Sequence, residues 1–282
     1  MRTRIVYAAD ESYAMPLAVS LRSLVDNASD PDVTILVRRL SDGALDKVLS
    51  SCPEITPDVV TVMEERFADL PVVRHITTAT YLRLLIPALF PDDDPVLYVD
   101  ADTVVLADPA ELCRTPLEGR PLGAIPDPAV PRVDAPGGVQ HWAQLGLPAD
   151  TPYFNAGVLL VNPAVWREQH ITEETLAYVS KYGSRIFLDQ EALNAVVRGN
   201  WLPLDPAWNV YPELAGAAAV ARRMGEPLPL SEEVEEALTN PKLVHFVGAD
   251  KPWLPAVAHA PFSRTFYHYL DRTAWAGWRP DR

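Results

Sequence analysis

Two aspartates break an otherwise apolar run. Val96-Leu-Tyr-Val99 leads into Asp100-Ala-Asp102, and the apolar pattern resumes from Val104 to Leu106. A short β-rich run behind turn residues, here Pro91-Asp-Asp-Asp-Pro95, reads as a strand buried on both faces. Carboxylates at the end of such a strand are costly unless something positive meets them. Ligands of parallel sheets collect at the carboxyl ends of the strands, so the pair points to a divalent cation. The competing reading is a strand that ends in a solvated turn. His245 lies in a second apolar run, Leu243 to Val247. Two carboxylates and an imidazole suit Mn2+, and Mg2+ less well, with positions left for phosphate oxygens and water. A lone histidine near a strand end is otherwise structural.

Other residues add to this chemistry. Lys251 is one of four lysines, and Gly248 before it lets a backbone approach a phosphate. The plainer reading is a solvated lysine on a surface loop. Asn155-Ala-Gly157 interrupts the apolar run Tyr153 to Val161, and a glycine inside a strand marks close approach of a ligand or of another backbone. Arg83 lies in the mixed segment Thr78 to Phe90, which carries it towards the aspartates.

These residues need a scaffold. Arg4 to Ala9 reads as a strand, and a helix follows from Ala14 with Leu17, Ala18, Leu21, Leu24 and Val25 on one face. Val33 to Val37 is a second strand, Ser41 caps a helix carrying Leu45, Val48 and Leu49, and Val59 to Met63 is a third strand. This alternation opens a doubly wound α/β sheet. No Gly-x-Gly-x-x-Gly follows the first strand; Ala8-Ala-Asp-Glu-Ser-Tyr13 stands in its place, which argues against a dinucleotide site. Further strands are expected at 97–106 as one element, Pro121 to Ile125, Tyr153 to Val161 and Leu243 to Val247, with helices from Pro163 to about Lys181 and from Asp189 to Val197. The segment Asp127 to Gly138 is rich in proline and glycine and reads as a loop over the site.

The chain has 282 residues, 48% hydrophobic, with a formal net charge of -14. That acidity argues against nucleic acid and against an anionic membrane surface. Cys52 and Cys113 have no metal-like spacing and read as free thiols of a reducing compartment. No signal peptide and no apolar run of membrane-spanning length is visible. A cytoplasmic protein without integral membrane association is expected, and its oligomeric state is not legible.

Five blocks in order resemble glycosyltransferase family 8, the retaining GT-A enzymes that include glycogenin and the bacterial lipooligosaccharide galactosyltransferases. They are Tyr7-Ala-Ala-Asp-Glu-Ser-Tyr13, then Arg74-His-Ile with Tyr81-Leu-Arg83, then Tyr98-Val-Asp-Ala-Asp102, then Phe154-Asn-Ala-Gly157 with Asp189-Gln190, and finally His245-Phe-Val-Gly-Ala-Asp-Lys-Pro-Trp253. The resemblance implies a GT-A fold, a Rossmann-like and mostly parallel sheet flanked by helices with a less regular C-terminal acceptor-binding part. It implies one domain over 1–282, with a nucleotide-binding half to about 125, a sugar and acceptor half to about 260, and a C-terminal extension.

The resemblance also implies roles. Asp100, Asp102 and His245 would hold Mn2+, with Ala101 between them at the cofactor. Ala8, Ala9, Asp10, Ser12 and Tyr13 would form the nucleotide loop, Asp10 bonding uracil, Tyr13 stacking on it and Ser12 meeting the ribose. His75 and Ile76 would line the nucleotide pocket, and Gly248 and Lys251 would touch the phosphates. Arg83, Asn155, Ala156, Gly157, Asp189 and Gln190 would surround the transferred sugar. The implied reaction moves a hexosyl group from a UDP-sugar to an acceptor hydroxyl with retention, UDP-glucose or UDP-galactose being favoured and a soluble glycoside or natural product the acceptor. Alternatives are a self-glycosylating primer, with Tyr211 as its own acceptor, and a non-catalytic sugar-nucleotide binder. From the residues themselves, Tyr13 reads equally as a packed aromatic, and Asp189 and Gln190 as first-turn helix residues.

Overall fold

The computed structural model describes residues 3–63, 78–92, 94–182, 188–255 and 260–281. Its first part alternates strand and helix: β1 (Thr3–Ala9), α1 (Ala14–Asn27), β2 (Pro31–Val37), α2 (Asp42–Ser50) and β3 (Asp58–Thr61). Ser41 caps α2, its hydroxyl accepting the Ala44 N–H at 3.3 Å. After a tight helical stretch, Thr78–Leu85, come α3 (Ile86–Leu89), β4 (Val96–Val99), β5 (Thr103–Val105), α4 (Ala110–Cys113), β6 (Leu122–Pro126) and β7 (Phe154–Val161). The remainder holds α5 (Pro163–Glu168), α6 (Ile171–Tyr182), α7 (Leu188–Val197), β8 (Leu202–Pro203), α8 (Pro212–Met224), α9 (Glu232–Thr239), β9 (Leu243–His245) and α10 (Ser263–Leu270).

One sheet runs β3-β2-β1-β4-β7-β6-β8. β1 pairs in parallel with β2 and β4, β2 with β3, and β6 with β8, while β7 is antiparallel to both its neighbours. The sheet is therefore mostly parallel, with β7 alone reversed. Alternation along the strands divides the core into two layers. Ile5, Tyr7, Leu97, Val99, Val158 and Leu160 pack on one face with Leu17 and Leu21 of α1. Val6, Tyr98, Leu159 and Val161 pack on the other with Leu193 of α7. Both faces are covered, which is why these strands read as continuous apolar runs.

Three expectations need correction. The run 97–106 is not one strand. The chain turns at Asp100-Ala-Asp102, and β5 leaves the main sheet to pair antiparallel with β9, Thr103 opposite His245. The apolar content of both halves hid the turn. The late strand ends at His245 rather than Val247 and belongs to this second, two-stranded sheet. The helix expected from Pro163 to Lys181 is broken at His170, whose positive φ of 51° closes α5. The restart is fixed by Thr172, whose hydroxyl donates to the Leu84 carbonyl at 2.7 Å and accepts the Trp166 indole N–H at 2.9 Å.

The segment after β6 is packed down as well as looped. Val130, Val133 and Val139 are buried, and the Val133 N–H donates to Thr151 O at 2.9 Å. The aromatic C-terminal stretch packs too: Phe266, Tyr269 and Leu270 of α10 form a buried cluster with Val19 of α1 and Phe246. Among the described residues, no helix is long and apolar enough to cross a membrane.

Candidate active site

The turn between β4 and β5 is the point at which the site is built. The Asp100 N–H donates to Gly157 O at 2.8 Å, which extends the β4–β7 pairing by one rung. Thr103 Oγ1 donates to Asp100 O at 2.9 Å and closes the turn from the other side. The Phe246 N–H donates to Asp102 O at 3.0 Å, so β9 is tied to the same turn. Three backbone elements thus converge on Asp100-Ala-Asp102.

Each of the three candidate ligands has one polar atom anchored and one left facing a common point. Asp100 Oδ1 accepts from Tyr98 Oη at 2.6 Å and from Arg83 Nη2 at 3.1 Å. Asp102 Oδ2 is held by the Lys251 ammonium. His245 Nδ1 lies 2.8 Å from Asn209 Oδ1. What remains is Asp100 Oδ2 and Asp102 Oδ1, at 3.7 and 3.3 Å from His245 Nε2. The Asp100, Asp102 and His245 donor atoms lie within 4.8 Å of one another. Two carboxylate oxygens and an imidazole nitrogen at this spacing fit a hard-to-borderline divalent cation. Gly157 makes the approach feasible: a Cβ there would stand 2.2 Å from His245 Cε1 and 2.8 Å from Asp100 Oδ2.

Burial disfavours charge on Asp102, but Lys251 and His245 outweigh it and hold its carboxyl well below the usual carboxylate range. Arg83 is also buried, and the Asp100 and Asp189 carboxylates more than offset the desolvation of its guanidinium. Its Nε–H donates to Thr80 O at 2.9 Å, while Asp189 Oδ2 lies 2.9 Å away as an ion pair and Asp189 Oδ1 accepts from Thr80 Oγ1. The guanidinium stacks 4.5 Å from the centre of the Tyr98 ring and also donates to Ala156 O. Burial, only partly countered by Arg83, raises the Asp189 carboxyl.

These groups line a cavity of about 500 Å3, within the range of a small-molecule site. Ala8, Ala9 and Tyr13 form its wall at the end of β1. Arg83, Asp100, Ala101, Asp102, Asn155, Ala156 and Gly157 form the floor, Asp189 and Gln190 of α7 one side, and His245, Gly248 and Lys251 the other. Asp10 and Ser12 do not line it; Asp10 Oδ1 instead accepts from the Ser12 N–H at 3.0 Å and from Ser12 Oγ, capping the short turn before α1. His75 and Ile76 lie outside the described residues.

Several wall residues had no signal in the sequence. Asp127, at the start of the Pro- and Gly-rich segment, is buried, accepts from the Ala129 and Val130 N–H groups, and receives Gln190 Nε2 at 3.1 Å. Burial raises its carboxyl. Glu213, in the first turn of α8, and Asp250 line the outer part. Tyr211, weighed above as an own acceptor, is 6% exposed and sits edge-on to His245, with ring centres 6.2 Å apart. Asn209 lies behind the wall, 3% exposed. Its neighbour Trp208 is a core residue, which disguised Asn209 as a turn position.

The family model described as Glycosyl transferase family 8 matches residues 4–256. General stress protein A of Bacillus subtilis (strain 168) is 28% identical over 289 aligned residues, covering 96% of this chain and 94% of that protein. Among solved structures, the galactosyltransferase LgtC in complex with donor and acceptor sugar analogs is similar over 96% of both chains, with a TM-score of 0.79 and 26% identity. The apo WbbM bifunctional glycosyltransferase shares the fold, with a TM-score of 0.75 and 24% identity; the match covers 98% of this chain and 50% of that one.

Proposed function

Because this chain belongs to glycosyl transferase family 8, and is a glycosyltransferase of GT-A fold, we propose that it transfers a hexosyl group from a UDP-sugar to an acceptor hydroxyl with retention, in the presence of Mn2+ or, less well, Mg2+. The observation that supports this most is the convergence of Asp100 Oδ2, Asp102 Oδ1 and His245 Nε2 at one end of a cavity whose other end carries Asn155, Asp189 and Gln190. A divalent cation held by the three ligands supplies Lewis-acid stabilisation of the negative charge that grows on the departing diphosphate.

The chain's own residues do the rest. Lys251, released from Asp102, reaches the phosphates across Gly248, whose positive φ of 68° turns the loop inwards. Ala8, Ala9 and Tyr13 receive the nucleoside, with Asp10, Ser12, His75 and Ile76 assigned to the same end. Arg83 fixes Asp100 and Asp189 together, so the sugar meets a wall whose charges are already paired. Gln190 Oε1 accepts from Asn155 Nδ2 and from the Ala156 N–H, so the amide is locked in place and acts by fixed orientation. Asp189, engaged by Thr80 and Arg83, holds sugar hydroxyls rather than taking a proton. Residues 1–282 act as one domain, nucleotide side first and acceptor side after β6. UDP-glucose or UDP-galactose is the favoured donor, a soluble glycoside the acceptor, and the cytoplasm the place of action. The burial of Tyr211 speaks against its use as a self-acceptor.

The test is UDP release from a panel of UDP-hexoses without acceptor, with Mn2+ and with chelator. Release from one donor, abolished by chelator and by Asp102→Asn, is expected. The product with an added acceptor should keep the anomeric configuration of the donor, read by NMR coupling. A β-product from an α-donor overturns retention.

A further inference from the structure

We propose that Asn209, which lines no part of the cavity, sets the tautomer of His245 and, through Asn155, the orientation of Gln190. The argument starts from two backbone N–H groups, which can only donate. The Gly157 N–H donates to Asn155 at 2.9 Å, so the Asn155 atom there is its oxygen. The same oxygen lies 2.9 Å from Asn209, which must therefore present its NH2. The other amide atom of Asn209 is then its oxygen, and this faces His245 Nδ1 at 2.8 Å. His245 accordingly carries its proton on Nδ1. The lone pair falls on Nε2, the ring atom that faces Asp100 and Asp102.

The same logic runs in the opposite direction. With the Asn155 oxygen on Gly157, its NH2 points at Gln190, 2.9 Å away. The Ala156 N–H, a second obligate donor, reaches the same Gln190 atom at 3.0 Å and confirms it as oxygen. The Gln190 NH2 is left for Asp127 Oδ2 at 3.1 Å. His245, Asn209, Asn155, Gln190 and Asp127 thus form one directional chain of hydrogen bonds. Asn209 is its only member that does not line the cavity. Its role is positioning, since it acts through His245 and Asn155 and meets no substrate.

Two substitutions separate the branches. Asn209→Leu keeps the bulk and removes the acceptor, leaving Nδ1–H without a partner and freeing the proton to move to Nε2, where it points at the ligand carboxylates. Asn209→Asp keeps an acceptor for His245 but turns an oxygen towards the Asn155 oxygen, and so disturbs only the Gln190 branch.

The first readout is the long-range 1H–15N spectrum of histidine-labelled, metal-free protein at about pH 8, where an ordinary imidazole is neutral, with the His245 signal identified by its loss in His245→Gln. The Nδ1–H tautomer is expected in the wild type and in Asn209→Asp, and its loss in Asn209→Leu. The second readout is Mn2+ binding by calorimetry, which rests on the metal reading above. A fall of about 10- to 100-fold is expected for Asn209→Leu and little change for Asn209→Asp, the scale on which outer hydrogen-bond partners tune ligated histidines. Asn209→Asp should instead lower kcat with the Kd for Mn2+ preserved. An Nε2–H tautomer in the wild type, or a tautomer unchanged in Asn209→Leu, overturns the proposal. Absence of Mn2+ binding by the wild type would sink the metal reading alone, because the tautomer is read without metal. Should Asn209→Leu not fold, Asn209→Ser makes the same cut, its shorter hydroxyl falling out of reach of Nδ1, with the same two outcomes.

Discussion

The Lys251 ammonium closes on the Asp102 carboxylate and on the Phe246 carbonyl at once, and only 4% of the residue is exposed. In this arrangement the lysine occupies the charge environment into which a divalent ion would come. The side chain thus has two employments: counter-ion of Asp102 when the site is free, and phosphate partner when a donor is present.

Lys251→Met should therefore have effects of opposite sign. Removal of a competing cation is expected to raise the Mn2+ affinity of the free protein by up to about tenfold (~1.4 kcal/mol). UDP affinity in the presence of Mn2+ should fall by roughly 10- to 100-fold, the cost of a lost charge-assisted contact. Calorimetry with each ligand checks both. A parallel loss of the two affinities would mean that Lys251 supports the carboxylates rather than competing for them.

Gly157→Ala should damage the site far more than the fold. The added Cβ would fall 2.2 Å from His245 Cε1 and 2.7 Å from its Nδ1, so the imidazole must leave its place. Overpacking of this kind costs about 1–3 kcal/mol of stability, whereas Mn2+ binding should become undetectable. Gly43→Ala is the control: nothing lies within 4 Å of its added Cβ in α2, and helix propensity predicts a gain of up to about 1 kcal/mol. Thermal unfolding and metal titration of the two variants should separate cleanly.

Arg83→Met should destabilise the protein by about 3–5 kcal/mol in urea unfolding, because it strands the buried Asp189 carboxylate and one oxygen of Asp100. Arg83→Lys should recover only part of this, since a point charge cannot reach Ala156 O, Thr80 O and Asp100 together. Equal stability of the lysine variant and the wild type would show that charge alone, without the fork, holds this corner.

Cys52 and Cys113 are unpaired, and burial pushes both thiols up to about 12. Neither should react with iodoacetamide at neutral pH in the native protein, because the thiolate is the nucleophile. Intact mass should show no adduct until denaturant is added, and two afterwards.

Much of the sheet is legible from the sequence because each strand is an apolar run fenced by turn residues, as Val33 to Val37 is. The aspartate pair is conspicuous for the same reason, being polar where the run should continue. Local patterning fails where partners are distant. Nothing in 97–106 says that β4 and β5 pair with different sheets, because both flanks of the turn are equally apolar. Asn209 gives no signal, since its two partners lie 36 and 54 positions away and only their geometry shows its use. Asp127 reads as one polar residue in a loop until its burial and its bond to Gln190 are seen. Asp10 illustrates the opposite failure: a side chain expected to reach outwards is engaged by its own turn.

The pairing of Thr103 with His245 also orders events in time. A nascent chain that has emerged only through β8 owns a nearly complete main sheet, with both aspartates at its edge, while β5 still lacks its partner. Domains fold progressively from the N-terminus during synthesis, so the third donor is delivered only when β9 docks. Competence for metal then arrives late and in a single step, and a ribosome-bound intermediate displays two bare carboxylates without the histidine that completes the set.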